Sequence, residues 1–279
     1  MPRGLKDELF NRFCGTDSQF DALRVLIVTA HQDDETIGAG ARLAHLNDVT
    51  IAHVTDGAPR DDREAWRHGF STRDEYEEAR WTELYNALDL VGVCRERLIH
   101  LGFADGEASW NLVDVCLRVT ELIDAVQPDV VLTHPYEGGH TDHDATAFAV
   151  HLACGILRRE GVTPPAVFEL TSYHSRNGRK VVQDFIPHGR ADIDQRVLLL
   201  NGEELQLKQQ MLGCFETQRH IINKLNPAVE RFRPAPRYLF SEPPHPGLLN
   251  YERYGDQFKG SRWRTQAEDA LKVLRVRQR

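Results

Sequence analysis

Apolar residues fall along this chain in two alternating rhythms. Short, mostly apolar runs at 23–30, 49–55, 97–101 and 128–133 are each followed by a longer stretch in which apolar positions recur at helical spacing, at 35–45, 74–90, 112–126 and 144–154. In the second of these, Tyr76, Ala79, Leu84, Ala87 and Leu88 carry the period. Continuous runs of the first kind are expected of parallel strands buried on both faces, and the periodic stretches of helices packed over them. The alternation predicts a three-layer α/β/α, Rossmann-like fold with a mostly parallel sheet.

Past Gly161 the rhythm changes. Shorter strand-like stretches at 166–173 and 180–186 precede a helix at 203–217, forming a smaller C-terminal β/α subregion. The tail from Pro227 carries Pro234, Pro236, Pro243, Pro244 and Pro246, so it is expected to be largely irregular and laid over the surface. The loop at 60–73 is too charged for a core and is a candidate lid, or a solvated connection. These boundaries give a single domain over 1–279: a polar N-terminal extension at 1–22, a Rossmann-like core at 23–160, and a C-terminal subregion at 161–279 that completes a pocket.

Composition narrows the function classes. With 279 residues, 41% of them hydrophobic, the chain can fill a substantial core. A net charge of −8 disfavours nonspecific attraction to nucleic acid or anionic lipid. No run approaches the ~18 apolar residues of a membrane span, and the first residues lack a signal-peptide core, so a soluble, cytoplasmic protein without a membrane partner is expected. Cysteines at 14, 94, 116, 154 and 214 are odd in number and show no C-x-x-C spacing, which indicates neither a disulfide framework nor a thiolate zinc site.

Two strand-like runs end in clusters of metal-ligand side chains. Ala30-His31-Gln32-Asp33-Asp34-Glu35 follows the first, and His134-Pro-Tyr-Glu-Gly-Gly-His140-Thr-Asp142-His143 follows the fourth. Strand ends beside a topological switch point line the ligand crevice of open α/β sheets. Three protein ligands plus water is the usual catalytic zinc arrangement, and His31, Asp34 and His143 are the assigned ligands. Such a metal lowers the pKa of water toward about 7, which puts an amide carbonyl within reach of hydrolysis. Asp33 is then spare to act as general base, His140 to stabilise an oxyanion or protonate a leaving amine, and Asp142 to hold a histidine in its working tautomer. Iron, manganese or cobalt would suit the same donors. Singly, each segment has a plainer reading: Asp33, Asp34 and Glu35 as a solvated helix start, His134 and Pro135 as strand-end punctuation, Gly138 and Gly139 as a loose loop.

These residues carry a family resemblance. The chain resembles the PIG-L, or LmbE-like, zinc-dependent deacetylases, whose motifs are A-H-P-D-D-E and H-P-x-x-x-H-x-D-H; Gln32 stands where the family has proline, and four residues rather than three separate Pro135 from His140. The likeness continues through Thr55-Asp56-Gly57, Arg80-Trp-Thr-Glu83, Gly102-Phe-Ala-Asp105-Gly106 and, more weakly, Lys208 with Phe215-Glu-Thr-Gln218. It implies an LmbE-like fold and removal of the N-acetyl group from an amino-sugar conjugate by zinc-activated water, releasing acetate and a free amine. It also implies the same metal, base and electrophile roles, and substrate contacts for Arg80 and Asp105. Two other readings stay open: a non-catalytic sugar- or nucleotide-binding module, and a metal-dependent hydrolase or hydratase acting on a non-sugar carbonyl compound. No G-x-G-x-x-G turn follows the first strand to favour the binding module.

Overall fold

The computed structural model describes residues 3–15, 23–188, 195–255 and 259–275. The chain opens with helix α1 (Arg3–Cys14), then alternates β1 (Arg24–Thr29), α2 (Asp34–Leu43), β2 (Asp48–Thr55), the short α3 (Arg63–Arg67), α4 (Arg73–Asp89), β3 (Leu98–Phe103), α5 (Leu112–Val126), β4 (Val130–Thr133), α6 (Thr141–Arg159) and β5 (Ala166–Leu170). A hairpin of β6 (Tyr173–Arg176) and β7 (Arg179–Val182) follows. After it come β8 (Arg196–Leu199), α7 (Gly202–Gly213), α8 (Arg219–Ile222), β9 (Val229–Pro234) and α9 (Gly260–Val273).

Seven strands form one sheet in the order β3-β2-β1-β4-β5-β9-β8. The first five are parallel; β9 runs antiparallel to β5, and β8 antiparallel to β9. The direction of winding reverses between β1 and β4, so a crevice opens beyond their carboxyl ends. Successive side chains of the central strands serve opposite faces. Leu26, Val28 and Val131 pack with α5, α6 and α9, whereas Val25, Ile27, Val130 and Leu132 pack with α1, α2, α4 and α7. The expected mostly parallel, three-layer α/β sheet is therefore present.

Three sequence expectations differ from the structure. The polar N-terminal segment contains α1, which places Phe10 and Phe13 in the core against Phe168 and Phe232; residues 16–22 lie outside the described part. The tail is not irregular throughout, because it supplies the inner strand β9 and helix α9, whose Trp263 and Ala267 are buried. The pattern of β9 is hidden by Glu230 and Arg233, which are buried but paired with Lys208 (2.8 Å) and Glu169 (2.6 Å). Finally, the 60–73 segment contains α3 and is pinned by the ion pair between Arg73 and Asp56 and by the capping box of Thr72 and Glu75. Among the described residues, no helix is long and apolar enough to cross a membrane.

If α1 belongs to the core, Phe13→Ala leaves a cavity between α1 and the sheet. Urea unfolding should show a loss of about 3–5 kcal/mol; a change below about 1 kcal/mol would mean that α1 is a detachable extension.

Candidate metal centre

Beyond β1 the chain turns sharply. The Asp33 amide donates to the His31 carbonyl (3.0 Å), and the Asp34 carboxylate accepts the His31 amide (2.8 Å) as the first residue of α2. An anionic side chain is favoured at that end of the helix. Beyond β4 the second motif loops back, His140 caps α6, and His143 stands in its first turn. Gly139 allows this loop to lie against β6, since a Cβ there would sit 2.0 Å from the Tyr173 carbonyl oxygen.

The two turns bring the donor groups of three residues together. Asp34 Oδ2 is 3.3 Å from His31 Nδ1, Asp34 Oδ1 is 3.4 Å from His143 Nε2, and the two ring nitrogens are 3.3 Å apart. Tetrahedral ligands at metal bonds of about 2.0–2.1 Å are separated by about 3.3–3.4 Å. The donor groups of His31, Asp34 and His143 thus lie at ligand-like separations, with a different Asp34 oxygen facing each histidine, and all three residues are buried; His31, His140 and His143, and Asp34, His134 and His143, also form compact sets of possible donors.

Outer partners orient these side chains. Asp105 Oδ1 lies 3.0 Å from His31 Nε2, and Asp142 Oδ2 lies 3.5 Å from the same nitrogen. A carboxylate on Nε2 leaves Nδ1 with its lone pair toward the other donors. Asp142 is itself held by the amides of Gly106 (2.7 Å) and Ala108 (3.0 Å). Ser172 Oγ contacts His143 Nδ1 at 3.1 Å. His134 Nε2 is 3.2 Å from Asp34 Oδ2, but it accepts the Ala30 amide and its ring stacks on His143 with centroids 4.0 Å apart.

A cavity of about 110 Å³ opens over the donors, lined also by Asp33, Arg80, Asp105, His140, Tyr173 and Gln218. Arg80 is 4% exposed; it donates to the Gly57 carbonyl (2.9 Å) and lies 3.5 Å from Asp33 and 3.9 Å from Asp105. Burial pushes the Asp33 carboxyl up to about 7, against the opposing pull of the Arg80 cation. Burial also disfavours ionisation of Asp34, but the His143 and His134 imidazoles outweigh it and hold that carboxyl well below the usual range. Burial, together with nearby His31, lowers the pKa of His140.

All eight expected site residues meet around this cavity, although Asp142 lies behind it and Asp105 engages His31 rather than pointing freely outward. His134, Ser172 and Tyr173 were not anticipated. His134 read as punctuation because its role depends on stacking, and 172–173 belong to no motif; Gln218 falls in the weak Phe215–Gln218 likeness.

Residues 26–154 match the family model described as PIG-L, GlcNAc-PI de-N-acetylase. A Bacillus cereus protein named probable N-acetyl-alpha-D-glucosaminyl L-malate deacetylase 2 is 30% identical over 140 residues, 49% of this chain and 63% of that protein. A 1D-myo-inositol 2-acetamido-2-deoxy-alpha-D-glucopyranoside deacetylase of Kineococcus radiotolerans is 28% identical over 165 residues, 47% of this chain and 46% of its own length. The chain therefore spans less than two thirds of each of these two relatives. The crystal structure of Dbv21, an antimicrobial pseudoaglycone deacetylase, shares the fold: TM-score 0.58, 23% identity, 78% of this chain and 99% of the other. Both motifs of the candidate metal centre lie inside the segment that matches the PIG-L family model, residues 26–154.

Proposed function

We propose that this protein is a metal-dependent hydrolase that removes the N-acetyl group from an amino-sugar conjugate, releasing acetate and a free amine. The observation that carries the reading is the placement of Asp33 and His140 in the same small cavity as the donors of His31, Asp34 and His143. The family match and the deacetylases named among the relatives support it.

His31, Asp34 and His143 would hold the ion, and a donor set of two imidazoles and one carboxylate suits zinc. Bound there, it would supply Lewis acidity toward the amide carbonyl and lower the pKa of water. Asp33 takes the proton from the attacking water. Its elevated pKa suits that task, because a base that titrates near the working pH is both available and strong enough. His140 stands at the mouth of the cavity, where it stabilises the developing oxyanion and returns a proton to the leaving amine. Asp142 and Asp105 keep His31 oriented, and Arg80 fixes the charge of Asp33 while offering a cation to the substrate's hydroxyl groups. A soluble protein acting in the cytoplasm on a small glycoconjugate fits this reading.

Metal analysis and acetate release test these assignments. His143→Ala should lose zinc affinity by at least about 100-fold by competition with a chelator, and wild-type affinity should fall as acid protonates the imidazoles. Undiminished zinc in that variant would show a different ligand set. Asp33→Asn should keep its zinc yet lose about 10²–10⁴ of kcat on N-acetylglucosamine conjugates; a near-normal rate would remove the base.

The pH profile gives a separate check. Asp33 must be ionised to accept a proton, so kcat/KM should fall as pH drops through its pKa. Arg80 favours the carboxylate, so Arg80→Met should move that acid limb to higher pH; a limb that stays in place would mean another group titrates.

A further inference from the structure

A cavity of about 640 Å³ lies at the other end of the sheet from the donors. It sits where helix α1, the C-terminal half of α6, the start of β5 and the chain leaving β9 meet, and it takes in Lys6, Arg158, Ala166, Val167, Pro236 and Phe240. Ala166 pairs with Val130 at the amino ends of the strands, whereas both motifs of the metal centre leave from the carboxyl ends. The two sites share no lining residue. Small-molecule sites typically enclose roughly 300–1,000 Å³, so this cavity is of their size.

Positive charge gathers here on a chain whose net charge is −8. Lys6, Arg158 and Arg237 line the cavity, and among the described residues no carboxylate lines it. The half-buried Lys6 Nζ gives one of its donors to the Ala235 carbonyl (3.1 Å); among the described residues neither Lys6 nor Arg158, in the last turn of α6, has a carboxylate within ion-pair distance. Burial lowers the Lys6 pKa, although Glu169 and Asp7 pull the other way from farther off. Both cations bear on the Cys154 thiol, so they converge on one part of the cavity. An ammonium held away from water without an anion is unfavourable, and a ligand that brings the anion relieves it.

The rest of the wall is apolar and fixed. Pro164, Pro165 and Pro236 contribute rigid rings, and His151 packs edge-on against Tyr238 (centroids 5.1 Å apart) and Phe240 (5.7 Å). Burial and nearby Lys6 push the His151 imidazole down to about 3, so it is neutral and adds nothing to the positive field. The Tyr238 hydroxyl is engaged with Glu169 (2.7 Å), a carboxylate that Arg233 already bonds (2.6 Å). Cations beside apolar rings suit a molecule with an anionic head and an apolar body. A cation would be repelled, and a body rich in hydroxyls would leave them unpaired against the prolines.

We propose that this cavity is a binding site, separate from the metal centre, for a small organic anion. Its phosphate or carboxylate head is held by Lys6 and Arg158, and its apolar body lies on the proline and aromatic wall. Arg158 grips the head, because planar guanidinium donors match the oxygens of either group, and Lys6 adds a point charge from α1. The site does not depend on the reaction proposed for the metal centre.

Calorimetry on the zinc-loaded protein tests it, with phenyl phosphate and benzoate as probes and benzyl alcohol as the neutral control. At least one anion should bind and the alcohol should not; whichever anion binds identifies the head group. Affinity should fall about tenfold or more in Arg158→Met and in Lys6→Met, the scale of one charge-assisted hydrogen bond. A metal centre also attracts anions, so His143→Ala is a second control and should bind the same probe as tightly as the wild type. No binding of either anion, equal binding of the alcohol, unchanged affinity in Arg158→Met, or a loss confined to His143→Ala would overturn the site. Arg158 is exposed at the end of α6, so its substitution leaves the fold intact and decides the matter even if Lys6→Met unfolds.

Discussion

Strands β1 and β4 pair in parallel, Val25 with Val130 through Val28 with Thr133, and Thr133 Oγ1 donates to the Val28 carbonyl across 105 residues of sequence. Everything at the metal centre follows from that register. The turn at 30–33 and the loop at 134–140 leave the sheet side by side, and their helices begin where the donors meet. A slip of one residue would turn the His134 side of the ladder to the opposite face and separate the triangle of donors. The register is held because both strands are buried on both faces, with Leu26 and Val131 facing one core and Ile27 and Leu132 the other.

Such a centre concentrates charge in a place nearly without water, and the surrounding fold compensates for it. Behind the second motif, the carboxylate of Glu137 accepts the Ile186 amide (2.7 Å) and pairs with Arg233 (3.0 Å). Arg233 also bonds Glu169 (2.6 Å) and the Tyr238 hydroxyl (3.0 Å), and Tyr238 in turn donates to Glu169 (2.7 Å). Every one of these side chains is buried. Removing one partner from such a group strands an unpaired buried charge, which costs far more than the pair contributes when intact. The C-terminal segment therefore does more than close a pocket, because its Arg233 holds the loop from which His140 and His143 project.

The parts of this fold legible in the sequence are those in which burial and polarity coincide. Strands β1, β2 and β4 are mostly apolar runs, and α5 keeps a clean period, so their order and type follow from pattern. The proposed donors stand out for a different reason: histidines and carboxylates at two strand ends have few other uses. Strand β9 and the outer partners of the ligands were not legible. In β9, the buried Glu230 and Arg233 break the apolar pattern because their compensation comes from Lys208 and Glu169, far away in sequence. The Ser172 hydroxyl touches His143, and His134 touches Asp34, the Ala30 amide and the His143 ring; no local pattern announces such contacts. Helix α1 went unread because its two buried phenylalanines sit in an otherwise charged stretch.

Gln32, the departure from the first family motif, is explained by what its side chain touches. It is fully buried, and its Nε2 donates to the Thr55 carbonyl (2.7 Å) at the end of β2. Its Oε1 lies where a Cβ on residue 57 would be, 2.0 Å away, so only glycine fits there; Gly57 also has φ +76, a conformation open to glycine at little cost. The carbonyl of Gly57 is in turn the acceptor for Arg80, and Arg80 is the cation beside Asp33. A proline at position 32 would stiffen the turn through its fixed φ but could make none of these contacts. In this chain the position is held by a hydrogen bond and a packed amide instead of a ring. The adjoining turn, the buried guanidinium and the proposed base form one connected unit with it.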